Sequence, residues 1–262
     1  MFFIRQLFTF GYKQALCCIF PVAIFITLAV SKQVSIPYLY RYDFILICCL
    51  IMQFLMVYTK LESIDELKVI SLFHVIGLGL ELFKVHVGSW SYPEEAYTKI
   101  WDVPLYSGFM YASVASFICQ SWHRMDLKFY NYPKSYITFS LAAVIYLNFF
   151  LHHYFVDIRW GIIASLFIIF RKTKVAYRVN EAVYQMNIIL AFLLIGFFIW
   201  IAENVSTFFG AWQYPNQSNE WNLVHPGKIT SWFLLVIISI IIVANLKLIK
   251  YGKKEVITEE TA

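Results

Sequence analysis

The chain has 262 residues, of which 60% are hydrophobic and 19% aromatic, while only 14% carry a charged side chain. A soluble domain contains about 25% charged residues, so this chain has too little charge to cover a soluble globule and too many apolar residues to be disordered. The net charge of +5 is spread in small basic groups between apolar runs, a pattern that indicates membrane topology rather than nucleic-acid binding. The composition therefore predicts a multi-pass membrane protein, with the lipid bilayer as its partner and no nucleic-acid partner.

Eight apolar runs follow one another along the chain, and each is long enough, or nearly so, to cross a bilayer. They lie at residues 15–30, 43–59, 69–85, 104–122, 136–154, 155–170, 183–203 and 229–249. Helices are expected because lipid cannot satisfy free backbone groups. The stretch 136–170 is too long for one crossing, and two short helices that turn near Asp157 keep this charge away from the bilayer centre.

The distribution of basic residues predicts the orientation of these spans. With eight crossings, 15 of the 21 Lys and Arg residues fall on one side of the membrane and six on the other. The side that is richer in Lys and Arg is normally cytoplasmic. Both termini are therefore predicted to be cytoplasmic.

Two segments on the predicted outer side repeat the same residues at the same spacing. One reads ELFKVHVGSWSYP, and the other reads ENVSTFFGAWQYP. The matching pairs, all 122 residues apart, are Glu81/Glu203, Gly88/Gly210, Trp90/Trp212, Tyr92/Tyr214, Pro93/Pro215 and Pro104/Pro226. Self-similarity at a fixed period indicates an internal repeat.

The repeat defines the predicted fold class. It is an all-α integral membrane protein with eight transmembrane helices, arranged as two four-helix repeats at residues 1–130 and 131–250. Because four crossings return the chain to the same side, the repeats are expected to be parallel, about an axis along the membrane normal. A polar cytoplasmic tail is predicted at residues 251–262.

Ionisable side chains gather near the predicted outer ends of the spans, where charged groups usually have a function. The candidate catalytic residues are Glu81, Glu203, His152, His153 and Asp157. The candidate substrate-binding residues are Trp90, Tyr92, Trp212, Tyr214, His74 and His225. Carboxylates and histidines together are the residue types of acid/base chemistry.

Each of these residues also has a structural interpretation. The two glutamates could pair with Lys84 or hold a loop amide, and the tryptophans and tyrosines could form an interfacial aromatic belt. His152 and His153 are neighbours that point about 100° apart on a helix, so no metal site is predicted. No cofactor can be named from the sequence.

Four segments carry a resemblance to a known family. HVIGLGLELFKVHVGSWSYPE, VPLYSGFMYASVASFICQSW, LHHYFVDIRW and WIAENVSTFFGAWQYP closely resemble the YoaT-like bacterial membrane proteins, which are grouped as domain of unknown function 817. The resemblance extends over nearly the whole chain. It implies a multi-pass protein of the bacterial cell membrane and implies no particular activity.

A more distant similarity links the repeated motif to small membrane-bound lycopene cyclases and carotenoid hydratases. An acidic residue, then Gly-x-Trp-x-Tyr and a later Pro, is similar to their repeated motif. The similarity places Glu81 and Glu203 at the acidic position. The cyclases follow the proline with a Glu pair, whereas Leu105-Tyr106 and Gly227-Lys228 follow it here. The similarity thus implies a related fold rather than cyclase activity.

These observations favour a membrane-embedded enzyme that acts on a lipid or isoprenoid through an acid/base carboxylate site near the outer face. In this hypothesis one histidine of the adjacent pair assists, and Asp157 orients it. A small-solute or proton-coupled transporter is the first alternative, although His74 is the deepest ionisable group in its span and transporters usually have polar groups along their path. A non-catalytic membrane scaffold is the second alternative. The sequence alone does not decide whether the protein is an enzyme.

Overall fold

The computed structural model describes residues 2–251 and 256–257, so most of the predicted polar tail lies outside the described residues. The helices are α1 (Phe2–Cys17), α2 (Ile19–Ser31), α3 (Arg41–Tyr58), α4 (Ile64–His86), α5 (Ser107–Met125), α6 (Ser135–Leu151), α7 (Arg159–Phe170), α8 (Ile188–Phe208) and α9 (Lys228–Tyr251). The strands are β1 (Lys99–Ile100), β2 (Val103–Pro104), β3 (Lys128–Tyr130), β4 (Lys174–Val179), β5 (Ala182–Asn187) and β6 (Val256–Ile257).

Four helices are long and apolar enough to cross a membrane, namely α3, α4, α8 and the first 20 residues of α9. The pair α1 and α2 would add a fifth span, but it is bent by 65° at the break between the two helices. Helices α6 and α7 have only 17 and 12 residues, fewer than the roughly 20 that a perpendicular crossing requires. The described chain is therefore mostly helical with four or five candidate spans.

The prediction of an all-α chain is correct only in this coarser sense, because the structure also contains a four-stranded sheet of order β5-β4-β3-β6. Strands β4 and β5 form an antiparallel hairpin in which Val179 pairs with Ala182. Asn180 enters the turn with a φ of 52°, in the left-handed region that asparagine tolerates. As a result α8 begins at Ile188, five residues after the start of the predicted apolar run.

The chain forms two compact units, each of which takes segments from both predicted repeats. The first, called the motif unit, comprises residues 18–117 and 200–228 and contains both copies of the repeated motif. The second, called the hairpin unit, comprises the described parts of residues 1–17, 118–199 and 229–262. The two four-helix repeats themselves stay a prediction.

Helices α4 and α8 end in the same way, as the repeat requires. Gly88 and Gly210 adopt left-handed φ angles of 72° and 68°. The amide of Gly88 donates to Val85 and that of Gly210 donates to Thr207, at 3.0 and 2.9 Å. A left-handed glycine after the last helical turn is a common helix terminator. Both copies of the motif thus leave their helix in the same direction.

Candidate functional site

The two motif copies meet within the motif unit at equivalent residues. The amide of Ser91 donates to the carbonyl of Gln213, and the amide of Gln213 donates to the carbonyl of Ser91, both at 2.9 Å. These residues are separated by the repeat offset of 122. A reciprocal bond between equivalent residues is the pattern of a local twofold relation.

Each copy turns its tyrosine back onto its own glutamate. The Tyr92 hydroxyl donates to Oε2 of Glu81 at 2.7 Å, and the Tyr214 hydroxyl donates to Oε1 of Glu203 at 2.6 Å. Glu81 is 5% exposed and Glu203 is 3% exposed. Buried carboxylates need hydrogen-bond donors to offset lost hydration, and the motif supplies one to each.

Glu81 accepts two further hydrogen bonds from aromatic side chains. The indole N–H of Trp90 donates to Oε2 at 2.6 Å, and the Tyr111 hydroxyl donates to Oε1 at 2.7 Å. An indole N–H can only donate, so Oε2 accepts from Trp90 whether or not the carboxyl is protonated. A proton held by Glu81 would therefore sit on Oε1, beside Tyr111.

Two glycines allow α5 to approach α4 closely enough for these contacts. A Cβ atom at Gly77 would lie 2.4 Å from the Tyr111 ring, and one at Gly108 would lie 2.7 Å from the His74 side chain. Gly77 lies one helical turn before Glu81, so the Tyr111 ring covers the glycine while its hydroxyl reaches the carboxylate. The hydrogen bond from Tyr111 to Glu81 thus requires a residue without a Cβ atom at position 77.

The position of Gly108 also shows the path of the segment between α4 and α5. Gly108 is the second residue of α5, yet it lies against His74, twelve residues before the end of α4. At 1.5 Å per residue this corresponds to about 18 Å along the helix. Residues 87–106 therefore run back alongside α4, which is consistent with the burial of Tyr92 and Tyr106 in this segment.

A lysine ammonium lies over aromatic rings from both motif copies. Nζ of Lys228 is 5.2 Å from the centre of the Trp90 ring and 4.7 Å from that of Tyr214. The two rings are 5.9 Å apart and nearly perpendicular. Such an arrangement stabilises a cation electrostatically. Lys84, which is 6% exposed and three residues after Glu81, is a buried cation in this unit.

The tyrosines of both motifs stay protonated under ordinary conditions. Burial is the largest cause that raises the pKa of Tyr92 well above its usual value, and Glu81 acts in the same direction. Burial also raises the pKa of Tyr214, with Glu203 the next cause and Glu81 a further one. Both tyrosines therefore remain hydrogen-bond donors.

Sequence reasoning missed two charged residues of α3 that hold the motif segments in place. The Arg41 guanidinium pairs with Glu94 at 2.5 Å and donates to the carbonyl of Phe209 at 2.6 Å. Asp43 accepts from the amides of Tyr97 and Thr98 at 2.8 and 3.0 Å. Their position at the start of an apolar helix is the signal that could have identified them, since such charges are costly without partners.

The predicted histidine pair and Asp157 lie in the hairpin unit. The rings of His152 and His153 are 4.1 Å apart, and Nδ1 of His152 lies 2.8 Å from the carbonyl of Asn148. Asp157 accepts from the Asn148 amide at 3.1 Å and pairs with Arg159 at 3.4 Å. Burial acts to raise the pKa of Asp157, but the bonds from Asn148 and Arg159 and the charge of Arg159 outweigh it and lower the pKa.

The other predicted residues lie in the motif unit. Trp212 is 9% exposed and donates to the Tyr214 hydroxyl. His74 packs edge-on against Phe109 with ring centres 4.5 Å apart, while His225 is exposed. Among the residues that the structure describes, no group of three or more His, Cys, Asp or Glu side chains has a metal-binding arrangement.

The apolar helices indicate a helical membrane protein, and comparison with known sequences identifies its family. The chain belongs to the DUF817 family of proteins of unknown function, whose sequence profile matches residues 6–240. It is 58% identical over 247 residues to the uncharacterized protein YoaT of Bacillus subtilis (strain 168), covering 94% of both chains. The predicted family resemblance is thus confirmed.

One solved structure has a similar arrangement over part of the chain. It is the crystal structure of a cross-linked MvINS trimer, which aligns with a TM-score of 0.49 and 13% identity. The alignment covers 71% of this chain and 95% of the other.

Proposed function

We propose that the protein is a membrane-embedded enzyme that transfers protons to and from an apolar lipid or isoprenoid at Glu81 and Glu203. The observation that carries this proposal is the setting of Glu81. Its carboxylate is 5% exposed and accepts hydrogen bonds from Trp90, Tyr92 and Tyr111. A buried carboxyl among aromatic rings is suited to an apolar substrate, because the rings offer contact area and the carboxyl offers the proton.

The proposed reaction is an isomerisation or cyclisation. The proton on Oε1 of Glu81 adds to one carbon of a substrate double bond, which leaves the other carbon cationic. The faces of Trp90 and Tyr214 stabilise a cation, as they do for the Lys228 ammonium. Glu203 then removes a proton from a neighbouring carbon, which forms a new double bond. Proton transfer between the two carboxyls restores the starting state.

Two carboxyls in different surroundings can divide the roles of acid and base. Tyr111 contacts Glu81, whereas phenylalanine occupies the equivalent position 233 of the second repeat. The proposal keeps one histidine, His152 or His153, as an assisting group that Asp157 orients. It also keeps six residues that contact the substrate, namely Trp90, Tyr92, Trp212, Tyr214, His74 and His225.

A deletion strain tests this function directly. The total lipid extract of the deletion strain is compared with that of the parent by mass spectrometry, and the deletion is complemented with wild type, Glu81→Gln, Glu203→Gln and Glu95→Gln. Glu95 is an exposed residue of the same segment and serves as the control. We expect a changed lipid that wild type and the Glu95 variant restore and the other two variants do not. An unchanged lipid profile, or restoration by Glu81→Gln at equal expression, would refute the proposal.

The proposed membrane arrangement has eight crossings in the bacterial cell membrane, with both termini cytoplasmic and two parallel four-helix repeats. It is supported by the charge distribution, by the overlap of every predicted run with a helix, and by the equivalent caps at Gly88 and Gly210. Alkaline phosphatase fused after Glu95 should be active, and a fusion after Glu181 should be inactive. An active fusion after Glu181 would overturn this arrangement.

A second candidate function, proton-coupled transport, is favoured by one observation that the sequence analysis lacked. Glu62 and Glu66 are each 2% exposed. Within α4, Glu66, His74 and Glu81 place ionisable groups along about 22 Å of the helix axis, and Glu62 lies just before this helix. Proteoliposomes containing a pH-sensitive dye test this function, since a transporter would acidify the lumen in response to a solute gradient and an enzyme would not.

A further inference from the structure

Glu62, in the turn between α3 and α4, is a buried carboxylate far along the chain from the repeated motif. It is 2% exposed. The Gln53 amide donates to Oε2 at 2.6 Å, and the Ser116 hydroxyl donates to Oε1. No Lys, Arg or His side chain in the described part of the chain forms an ion pair with it. A buried negative charge without a positive partner is costly.

Gln53 supplies a second, independent observation. Gln53 is 9% exposed, and its side-chain oxygen Oε1 has no hydrogen-bond partner. The same amide group donates to Glu62 through Nε2, so the unpartnered oxygen belongs to the group that contacts the carboxylate. Buried polar atoms without partners are uncommon and often indicate a missing ligand.

Protonation of Glu62 would remove its negative charge but would not satisfy all the polar atoms of the Gln53 amide. Burial is the largest cause that raises the pKa of Glu62, and Glu66 also raises it, while the bonds from Ser116 and Gln53 lower it. Protonation neutralises the charge, but a Gln53 amide that turned its oxygen to the proton would leave its N–H group without a partner. A cation both neutralises Glu62 and gives the Gln53 oxygen a partner.

The neighbouring Glu66 already has a structural role at the start of α4. Its Oε2 accepts from the amide and the hydroxyl of Ser63 at 2.9 Å each, and its own amide donates to the Ser63 hydroxyl at 3.3 Å. This reciprocal pair caps the N-terminus of α4, where a negative charge is favoured by the helix dipole. The charge to be balanced at Glu62 is therefore a single negative charge.

We propose that Glu62, Gln53 and Ser116 bind a hard monovalent cation of the size of Na⁺. The candidate ligand atoms at this place are oxygens of a carboxylate, an amide and a hydroxyl, which hard cations prefer. They come from α3, the following turn and α5, so the ion would link three parts of the motif unit. The site is separate from Glu81 and does not depend on the proposed reaction.

The test measures thermal unfolding of the purified full-length protein in lipid nanodiscs. Melting temperatures are compared in NaCl, KCl, CaCl₂ and choline chloride at constant ionic strength and constant pH. A ligand that binds the folded state raises the melting temperature in a concentration-dependent manner. We expect a saturable increase with NaCl relative to choline chloride, the loss of this increase in Glu62→Gln, and its retention in Asp65→Asn. Asp65 is the matched control because it lies in the same region but forms an exposed pair with Lys68.

Three results would overturn the proposal. They are equal melting temperatures in NaCl and choline chloride, an increase with CaCl₂ but not NaCl, and an unchanged NaCl response in Glu62→Gln. A melting temperature that changes with pH and not with sodium would identify a proton site instead. If Glu62→Gln does not fold, binding of radioactive sodium to the wild type and to Ser116→Ala replaces it. We expect saturable binding that weakens about tenfold in the variant, and wild type without saturable binding refutes the site.

Discussion

Replacing Gly77 with alanine should dislodge Tyr111 from Glu81. The added Cβ would lie 2.4 Å from two atoms of the Tyr111 ring and 2.7 Å from its Cβ, so the ring must move. Overpacking of this kind costs about 1–3 kcal/mol, and loss of a hydrogen bond to a carboxylate costs about 1.5–3 kcal/mol. Alanine regains about 1 kcal/mol of helix propensity. The net destabilisation is expected to be about 1.5–5 kcal/mol.

The assay is reversible unfolding of the purified protein in mixed micelles with increasing denaturing detergent. Gly161→Ala is the matched control, because a Cβ atom added at this position of α7 would have nothing within 4 Å, and it should be neutral or stabilising by up to about 1 kcal/mol. Tyr111→Phe alone should cost about 1.5–3 kcal/mol. Equal stabilities of Gly77→Ala and Gly161→Ala would show that α4 and α5 do not pack in this way.

The double variant Gly77→Ala with Tyr111→Phe separates the two effects. If the alanine already breaks the bond between Tyr111 and Glu81, removal of the hydroxyl adds little, and the double variant should match Gly77→Ala within about 0.5 kcal/mol. Fully additive losses would mean that the tyrosine keeps its bond after the glycine is replaced. That result would refute the link between the small residue and the carboxylate.

Three further predictions concern caps and protonation. Gly88→Ala and Gly210→Ala should each cost about 1–2 kcal/mol in the same unfolding assay because both glycines have left-handed φ angles. Asp157→Asn should destabilise the protein above pH about 4, and the difference should disappear as the pH falls, since a lowered pKa contributes stability only where the group is ionised. In an alkaline titration, Tyr92→Phe and Tyr214→Phe should each remove phenolate absorbance only from the step that accompanies unfolding, because burial raises the pKa of both tyrosines; a loss of absorbance at about pH 10 in either folded variant would contradict this.

The apolar runs identified the helices well, because a span must be long and apolar whatever it packs against. They failed at residues 183–187, where an apolar stretch begins a strand instead of a helix. The strand depends on pairing with β4 through the turn at Asn180. Two alternating runs around an Asn-Glu turn were a local signal of this hairpin, but the neighbouring apolar run concealed it.

The repeated motif predicted that Glu81 and Glu203 occupy equivalent positions, because a fixed spacing within one chain places equivalent side chains alike. The sequence suggested Lys84 or a loop amide as partners of the glutamates, and their hydrogen bonds from Tyr92 and Tyr214 were not predicted. Tyr111 could not be predicted in the same way, since its contact with Glu81 depends on how closely α5 approaches Gly77. Glu62 was missed for a different reason. A charged residue in a short polar turn is normally solvated, and only the packing of Ser116 against it shows otherwise.

The two copies of the motif have equivalent left-handed glycines at Gly88 and Gly210 but differ at other equivalent positions. Tyr106 donates its hydroxyl to the carbonyl of Ala211, whereas the equivalent Lys228 places a charge over two aromatic rings. Tyr111 reaches Glu81, whereas its equivalent is Phe233, which has no hydroxyl. Two carboxyls in identical surroundings would bind a proton equally and give no direction to its transfer. The hydroxyl of Tyr111 therefore distinguishes the surroundings of Glu81 from those of Glu203, and the acid and base roles proposed for these two carboxyls would require such a difference.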